Sequence, residues 1–410
     1  ELQKINIFTK EGFLAVAGRV GLLPTMLTFF GLPLLVIYKL YKRQKLSFLE
    51  IFIILWTVIS FYLILSGVRF SLIFSIAAST SAAYVIGSLL ELLKNKNHLF
   101  TASALGILLV FVVIFAGDAI KIGQASSGLA VSQNWYDALD WLKTNADKDS
   151  LISTWWDPGH IIAGYTGLKV HADGAHCPAN QCVLYNHNIR IRDMGRIFST
   201  NNESESIQIL KKYTHVTDEQ CNKAKEIFGE MMPGDACKDV TEVYVLATSD
   251  LIGKYFWMSC FGSFNMEKWK AGNRDTNQLC QGTNFIQIPF VNFDRSGLPI
   301  YSNNFMTVTL LQNNTELLAV LNMPSQGVRN ALIRDVVYYQ NGDEKSSKAN
   351  VNNSLDAMVW IDPSFRALIF MDQKVRDSVF TKMFFFNGKD LDNFELVFSN
   401  PEVKIYKAKI

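Results

Sequence analysis

With 410 residues, 49% of them hydrophobic, and a net charge of +2, the chain gives bulk electrostatics no reason to nominate nucleic acid or an acidic partner. Its apolar residues are unevenly placed: almost all the long apolar runs precede Asp118, four in succession with short polar connections, which argues against a wholly soluble helical core. The first residue is Glu1 rather than Met and no signal peptide opens the chain, so the sequence reads as a piece of something longer.

Membrane-spanning helices are predicted at about residues 20 to 40, 47 to 66, 70 to 92 and 98 to 117, each near the roughly 20 residues that cross the hydrocarbon. Lys39, Lys42, Arg43 and Lys45 lie between the first two spans and Lys94 and Lys96 between the last two, whereas the second and third are separated by Arg69 alone. Positive charge stays on the cytoplasmic side, so those two loops face inward, and Glu1, Arg69 and everything after Asp118 share the outer face. Arg69 is either an interfacial anchor or a phosphate ligand, because its planar fork matches phosphate oxygens.

Residues 1 to 117 thus form the membrane region, and the remainder reads as two domains, 118 to 283 and 284 to 410. Residues 128 to 147 have helical spacing and lead into the apolar run Leu151-Ile152-Ser153-Thr154, a strand. Helix-like stretches follow at about 187 to 199, 203 to 213 and 249 to 261. From 284 the character becomes alternating and β-rich, as in Phe285-Ile286-Gln287-Ile288, Met306 to Leu310, Leu317 to Val320 and Val403-Lys404-Ile405-Tyr406. The expected fold is therefore mixed: a four-helix transmembrane bundle, then an α/β, mainly helical, core domain, then a β-rich C-terminal domain.

Six cysteines, all after residue 176, fall into near neighbours: Cys177 with Cys182, Cys221 with Cys237, Cys260 with Cys280. An extracytoplasmic location permits disulfides, although spacing does not prove the pairing. His171, Asp173, His176, Cys177, Cys182 and His187 leave a zinc site or simple burial open, but no standard Cys/His ligand spacing appears.

The strand at 151 to 154 stops at Trp155-Trp156-Asp157-Pro158-Gly159, a turn that can present side chains to a ligand. Indole N–H groups only donate and an ionised carboxylate only accepts, so the two tryptophans and Asp157 can together satisfy both capacities of a hydroxyl. Asp250, Lys254 and Met258 recur every four residues and share one helix face. The plain reading of that face is an exposed ion pair followed by a core methionine.

Trp155-Trp156-Asp157-Pro158-Gly159-His160 resembles the WWDYG signature of oligosaccharyltransferase catalytic subunits, with Pro158 where that family has tyrosine. Ser249 to Met258 resembles the family's DK motif, with Lys254 one residue further from Asp250 than in the commonest eukaryotic form. The tail from Phe380 to Lys389, continuing to Tyr406, is similar to the C-terminal ends of archaeal members. Arg69 falls where the family keeps an arginine for the lipid-linked diphosphate, and Glu1-Leu2-Gln3 looks like the end of its TIxE or SVSE motif. The resemblance covers essentially the whole chain but only the second half of a family member.

It implies a piece of a larger GT-C type membrane domain in a multi-pass protein, in an archaeal cell membrane or facing the ER lumen. It also implies a metal-dependent, inverting transfer of an oligosaccharide from a polyisoprenyl (di)phosphate carrier to Asn in Asn-x-Ser/Thr. Trp155, Trp156, Asp157, Asp250, Lys254 and Met258 would bind the Ser or Thr, Met258 packing on the threonine methyl. Arg69 would bind the lipid diphosphate, and Glu1 would be a catalytic carboxylate beside a Mn or Mg ion. The partners implied are an acceptor polypeptide, a lipid-linked oligosaccharide and the missing N-terminal membrane half, without which this piece should not turn over. The competing readings are a non-catalytic membrane module that binds peptides and a different polyprenyl-phosphate sugar transferase, such as a protein O-mannosyltransferase.

Overall fold

The computed structural model describes residues 9–67, 70–93, 102–103, 106, 109–110, 113, 131–174, 186–232, 234–313, 316–350, 352 and 354–410. Glu1, Arg69, Cys177, Cys182 and nearly all of the span expected at 98 to 117 lie outside the described residues. Among those described, three helices are long and apolar enough to cross a membrane: Leu22–Tyr41, Phe48–Ser66 and Ser71–Leu92. They stand where the first three spans are expected. The chain divides into two units, Glu1–Ala130 and Val131–Ile410.

In the first unit the helices pack through buried apolar clusters, one of Val16, Val20, Ile64, Phe74 and Ala78 and another of Leu32, Leu35, Ile53 and Val85, and through a few polar contacts. The Thr57 and Ser81 hydroxyls lie 2.7 Å apart, and Thr28 Oγ1 donates to the Ala78 carbonyl at 3.0 Å. At the start of the Phe48–Ser66 helix, Ser47 and Glu50 form a reciprocal capping box, and Lys39 and Tyr84 also bond to the Glu50 carboxylate.

The second unit is built on a five-stranded sheet in the order β12-β13-β3-β1-β2, where β1 is Leu151–Ser153, β2 Lys169–Val170, β3 Val243–Thr248, β12 Phe394–Ser399 and β13 Val403–Ala408. β1 runs parallel to both β2 and β3, while β13 is antiparallel to β3. β3 is buried along its whole length, and its side chains alternate between two cores. Val243, Val245 and Ala247 join Met194, Ile197 and Phe198 of the His187–Ser199 helix and Tyr255 and Met258 of the Leu251–Gly262 helix. Tyr244 and Leu246 face Ala138, Leu139 and Leu142 of the Gln133–Asn145 helix. Helices therefore cover both faces of the sheet.

The remaining strands are β4 Ile286–Phe293, β5 Pro299–Ser302, β6 Thr307–Asn313, β7 Glu316–Met323, β8 Val328–Gln340, β9 Asp343–Lys348, β10 Ser354–Ile361 and β11 Ala367–Asp372. They form one sheet, β10-β11-β4-β5-β6-β7-β8-β9, and an additional parallel pairing of β10 with β8 closes it into a barrel. Here too the alternation divides two cores: Val336, Ala357, Val359, Leu368 and Phe370 fill the barrel, whereas Val337, Met358, Ile369 and Met371 pack into the core beneath the five-stranded sheet.

The division expected at 283/284 marks where the β-rich segment begins but does not separate two cores. Val337, Met358 and Tyr406 share a cluster with Met194 and Tyr255, and the final strands return to the first sheet. The physical reason is that β3, buried on both faces, needs a hydrogen-bonded neighbour on each edge, and β13 supplies the second.

Two of the cysteine neighbours are bridged, Cys221 to Cys237 and Cys260 to Cys280. The second ties the end of the Leu251–Gly262 helix to the segment leading into β4. Replacing Cys260 and Cys280 together by serine releases a crosslink across a sequence separation of 20, and is expected to cost about 3 kcal/mol, read as a lowered thermal midpoint. A midpoint equal to that of the parent would contradict this.

The His187–Ser199 and Leu251–Gly262 helices touch backbone to backbone. A Cβ on Gly195 would lie 2.3 Å from the Met258 carbonyl oxygen and 2.7 Å from the Gly262 nitrogen. Gly195→Ala is therefore expected to push the helices apart at a cost of about 1–3 kcal/mol, measurable in a melt, whereas alanine at exposed Gly253, with nothing within 4 Å, should be harmless or stabilising.

Candidate functional site

Ser153 on β1 is paired with Val245 on the parallel neighbour β3, so both strands end at one edge of the sheet. The chain leaves β1 through Thr154-Trp155-Trp156-Asp157 and β3 through Thr248-Ser249-Asp250. Carboxyl ends of adjacent parallel strands are a recurrent place for ligands. Thr154 Oγ1 donates to the Leu246 carbonyl at 3.1 Å, tying the first exit to β3, and the turn closes with Gly159 N–H on the Trp156 carbonyl at 3.2 Å. Pro158, at φ −81° and ψ −1°, leads directly into the helix Gly159–Thr166. A Cβ at Gly159 would sit 2.3 Å from the Ala172 carbonyl oxygen, so only glycine lets the chain pass behind the turn.

Lys254 bridges the two strand ends. Its ammonium lies 3.1 Å from Asp157 Oδ2 and 2.7 Å from Asp250 Oδ2, and Thr248 Oγ1 donates to Asp250 Oδ1 at 2.6 Å. Burial pulls the ammonium down, but the two carboxylates outweigh it and hold Lys254 above its ordinary range. The group is charged at any physiological pH. All three side chains are about a third exposed, so screening keeps the bridge's contribution to stability small and its value lies in position.

The expected site residues divide into two sets. Trp156 is half-buried and Asp157, Asp250 and Lys254 reach solvent, whereas Trp155 and Met258 are 2% and 0% exposed and belong to one core cluster. The threonine-methyl contact expected of Met258 is not available to a ligand in this conformation. A spacing of four on a helix with 3.6 residues per turn drifts about 40° per step. Asp250 and Lys254 therefore stand at the exposed edge, while Met258 has rotated onto the buried stripe of Leu251, Tyr255 and Ser259. Asp250 occupies the N-cap position without capping the helix, its carboxylate turned instead to Thr248 and Lys254.

Beneath the turn is a buried polar network whose members no sequence pattern links. Ser153 Oγ lies 2.8 Å from His171 Nδ1 and 3.2 Å from Met194 Sδ, and the His171 ring centroid is 4.0 Å from that of Tyr213. Fully buried Asp193 accepts from Tyr213 Oη and Lys212 Nζ, each at 2.9 Å. Trp156 lines a cavity of about 390 Å³ between the His187–Ser199 helix and the segment carrying Phe261, Phe264 and Trp269. These residues come from separate segments and carry no motif.

Among the described residues no group of three or more His, Cys, Asp or Glu converges. Asp157 and Asp250 are bridged by the Lys254 ammonium, so this pair of carboxylates does not fit a divalent ion.

Burial, with Arg190 nearby, pushes the His171 imidazole from 6.5 down to about 3. Below pH 6.5 the unfolded chain takes up a proton that the folded ring refuses until about pH 3, so stability is full above this window and falls as pH drops through it. The expected slope is about 1.4 kcal/mol per pH unit. Thermal melts between pH 7.5 and 4 should show it, and His171→Gln should flatten it by one proton's worth; an unchanged slope in that variant would assign the effect elsewhere.

No family model matches the chain. Among curated proteins it is 27% identical over 179 residues to the dolichyl-phosphooligosaccharide-protein glycotransferase of Methanocaldococcus jannaschii, covering 40% of this chain and 18% of that protein. It is 23% identical over 393 residues to the protein of that name from Methanococcus voltae, covering 78% of this chain and 41% of the relative. The chain is thus a relative of the archaeal oligosaccharyltransferases and spans well under half the length of these two proteins. Similar solved structures include the C-terminal domain of PglB from C. jejuni, at 16% identity over 66% of this chain and 98% of that one with a TM-score of 0.42. Another is the C-terminal globular domain of an oligosaccharyltransferase from Pyrococcus abyssi, at 16% identity over 67% and 50% with a TM-score of 0.35.

Proposed function

We propose that this chain is part of a protein that transfers an oligosaccharide from a polyisoprenyl (di)phosphate carrier to Asn in Asn-x-Ser/Thr, and that it supplies the site meeting the Ser or Thr hydroxyl. The observation that carries the reading is the bridge of Asp157, Lys254 and Asp250 at adjacent strand ends, with Trp156 preceding Asp157 in the turn. Asp157 accepts the hydroxyl proton, and Trp156 and Lys254 are the donors within the cluster. Trp155 and Met258 act from below, as the core on which the turn rests.

A hydroxyl-reading site of this kind rejects alanine because its polar groups would lose water without gaining a partner, which can separate the two residues by about ten-thousandfold. Without direct contact from Met258, the preference for Thr over Ser rests on what else meets the methyl group. The basic loop between the first two spans, taken with the fourth span expected at 98 to 117, and the two disulfides in the second unit support an extracytoplasmic position for Val131–Ile410. Glu1, a Mn or Mg ion, Arg69 at the lipid diphosphate and inversion at the sugar enter this reading through the family resemblance alone.

The test is an acceptor-peptide glycosylation assay with the full-length gene product. The Trp156→Ala, Asp157→Ala double variant is expected to lose at least about a hundredfold in kcat/KM for an Asn-x-Thr peptide. Normal transfer by that variant would overturn the assignment.

A further inference from the structure

The cavity behind Trp156 is walled by Ile191 and Arg192 on one side and by Phe261, Phe264 and Trp269 on the other. Phe261 and Trp269 remain 40% and 41% exposed, an aromatic surface of the kind that marks a contact site. It is held ready rather than loose. The Arg274 guanidinium lies 3.9 Å from the Trp269 ring centroid and donates to the Trp269 carbonyl at 2.8 Å, and the Phe264 ring stands 6.0 Å from that of Trp269. The contact of Gly195 with Gly262 fixes the helices that form the walls.

We infer that this cavity receives a large apolar side chain of the acceptor polypeptide, that of the second residue after the sequon Ser or Thr. The inference rests on the reading that Asp157 and Trp156 meet the hydroxyl. Because Trp156 lines the cavity and is the chain neighbour of Asp157, the two acceptor side chains stand close together along the peptide. In an extended peptide, side chains two residues apart share a face at about 6.6–6.8 Å, while adjacent ones point opposite ways. The hydroxyl residue has two such neighbours. The preceding one is the Asn that receives the glycan, which leaves the following one for the cavity. A volume of about 390 Å³ accommodates a phenyl or indole group, and Arg192 in the wall disfavours a cation.

The experiment measures the binding of short fluorescent peptides, Asn-Ala-Thr-Ala-X, to the whole chain in detergent micelles by anisotropy, with X as Phe, Ala or Lys. Phe is expected to bind at least about tenfold tighter than Ala, and Lys no better than Ala. Trp269→Ala should shrink the Phe-to-Ala ratio to within about twofold. Equal binding of the Phe and Ala peptides, with Thr→Ala in the sequon still weakening both, would overturn the inference and leave the hydroxyl reading standing. Insensitivity to Thr→Ala would remove that reading and the placement with it, and a preference for Phe at the position directly after Thr would also overturn the placement.

Discussion

The parallel pairing of β1 with β3 is the constraint from which the site follows. Asp157 and Asp250 are far apart in the chain and meet only because Ser153 stands opposite Val245 and both strands end at the same edge. That register is fixed by burial. Val243, Val245 and Ala247 must enter one core and Tyr244 and Leu246 the other, so a slip of one residue would send every side chain to the wrong face. The distance between two carboxylates at the surface is thus set by apolar packing several residues away.

Lys254 completes what the register begins. It rides on the first turn of the Leu251–Gly262 helix, whose start is fixed by the end of β3, so its ammonium reaches both strand ends without a long loop. A bridge of this kind fixes the orientation of Asp157 while leaving it partly in water. The network below follows the opposite rule. Asp193 and His171 are out of water, and they persist because Tyr213, Lys212 and Ser153 supply bonds that water no longer can. The upper group is free to exchange partners, and the lower one stiffens the floor.

The family relationship and this geometry meet in the same few residues. The turn at Trp155 to Gly159 and the helix from Leu251 carry the resemblance in sequence, and they are the segments that the sheet brings together. In the first unit, the hydroxyl contacts of Thr28, Thr57 and Ser81 add polar bonds between helices to the apolar packing around Ile64 and Phe74.

Local pattern alone determined much of this. Three apolar runs of membrane length, the strand before the tryptophans, the helices near 187, 203 and 251 and the alternating strands after 284 are all legible, because each depends on spacing within a short window. So is the association of Asp250 with Lys254. Only the tertiary structure decided that Lys254 also reaches Asp157, that Trp155 and Met258 are core, that β13 returns to pair with β3, that β8 and β10 close a barrel, and that a cavity opens behind Trp156. Each of these joins residues distant in sequence. Periodicity tells which face of an element is apolar, but not which other element will cover it, and the choice between core and ligand for an indole or a methionine is settled by that covering.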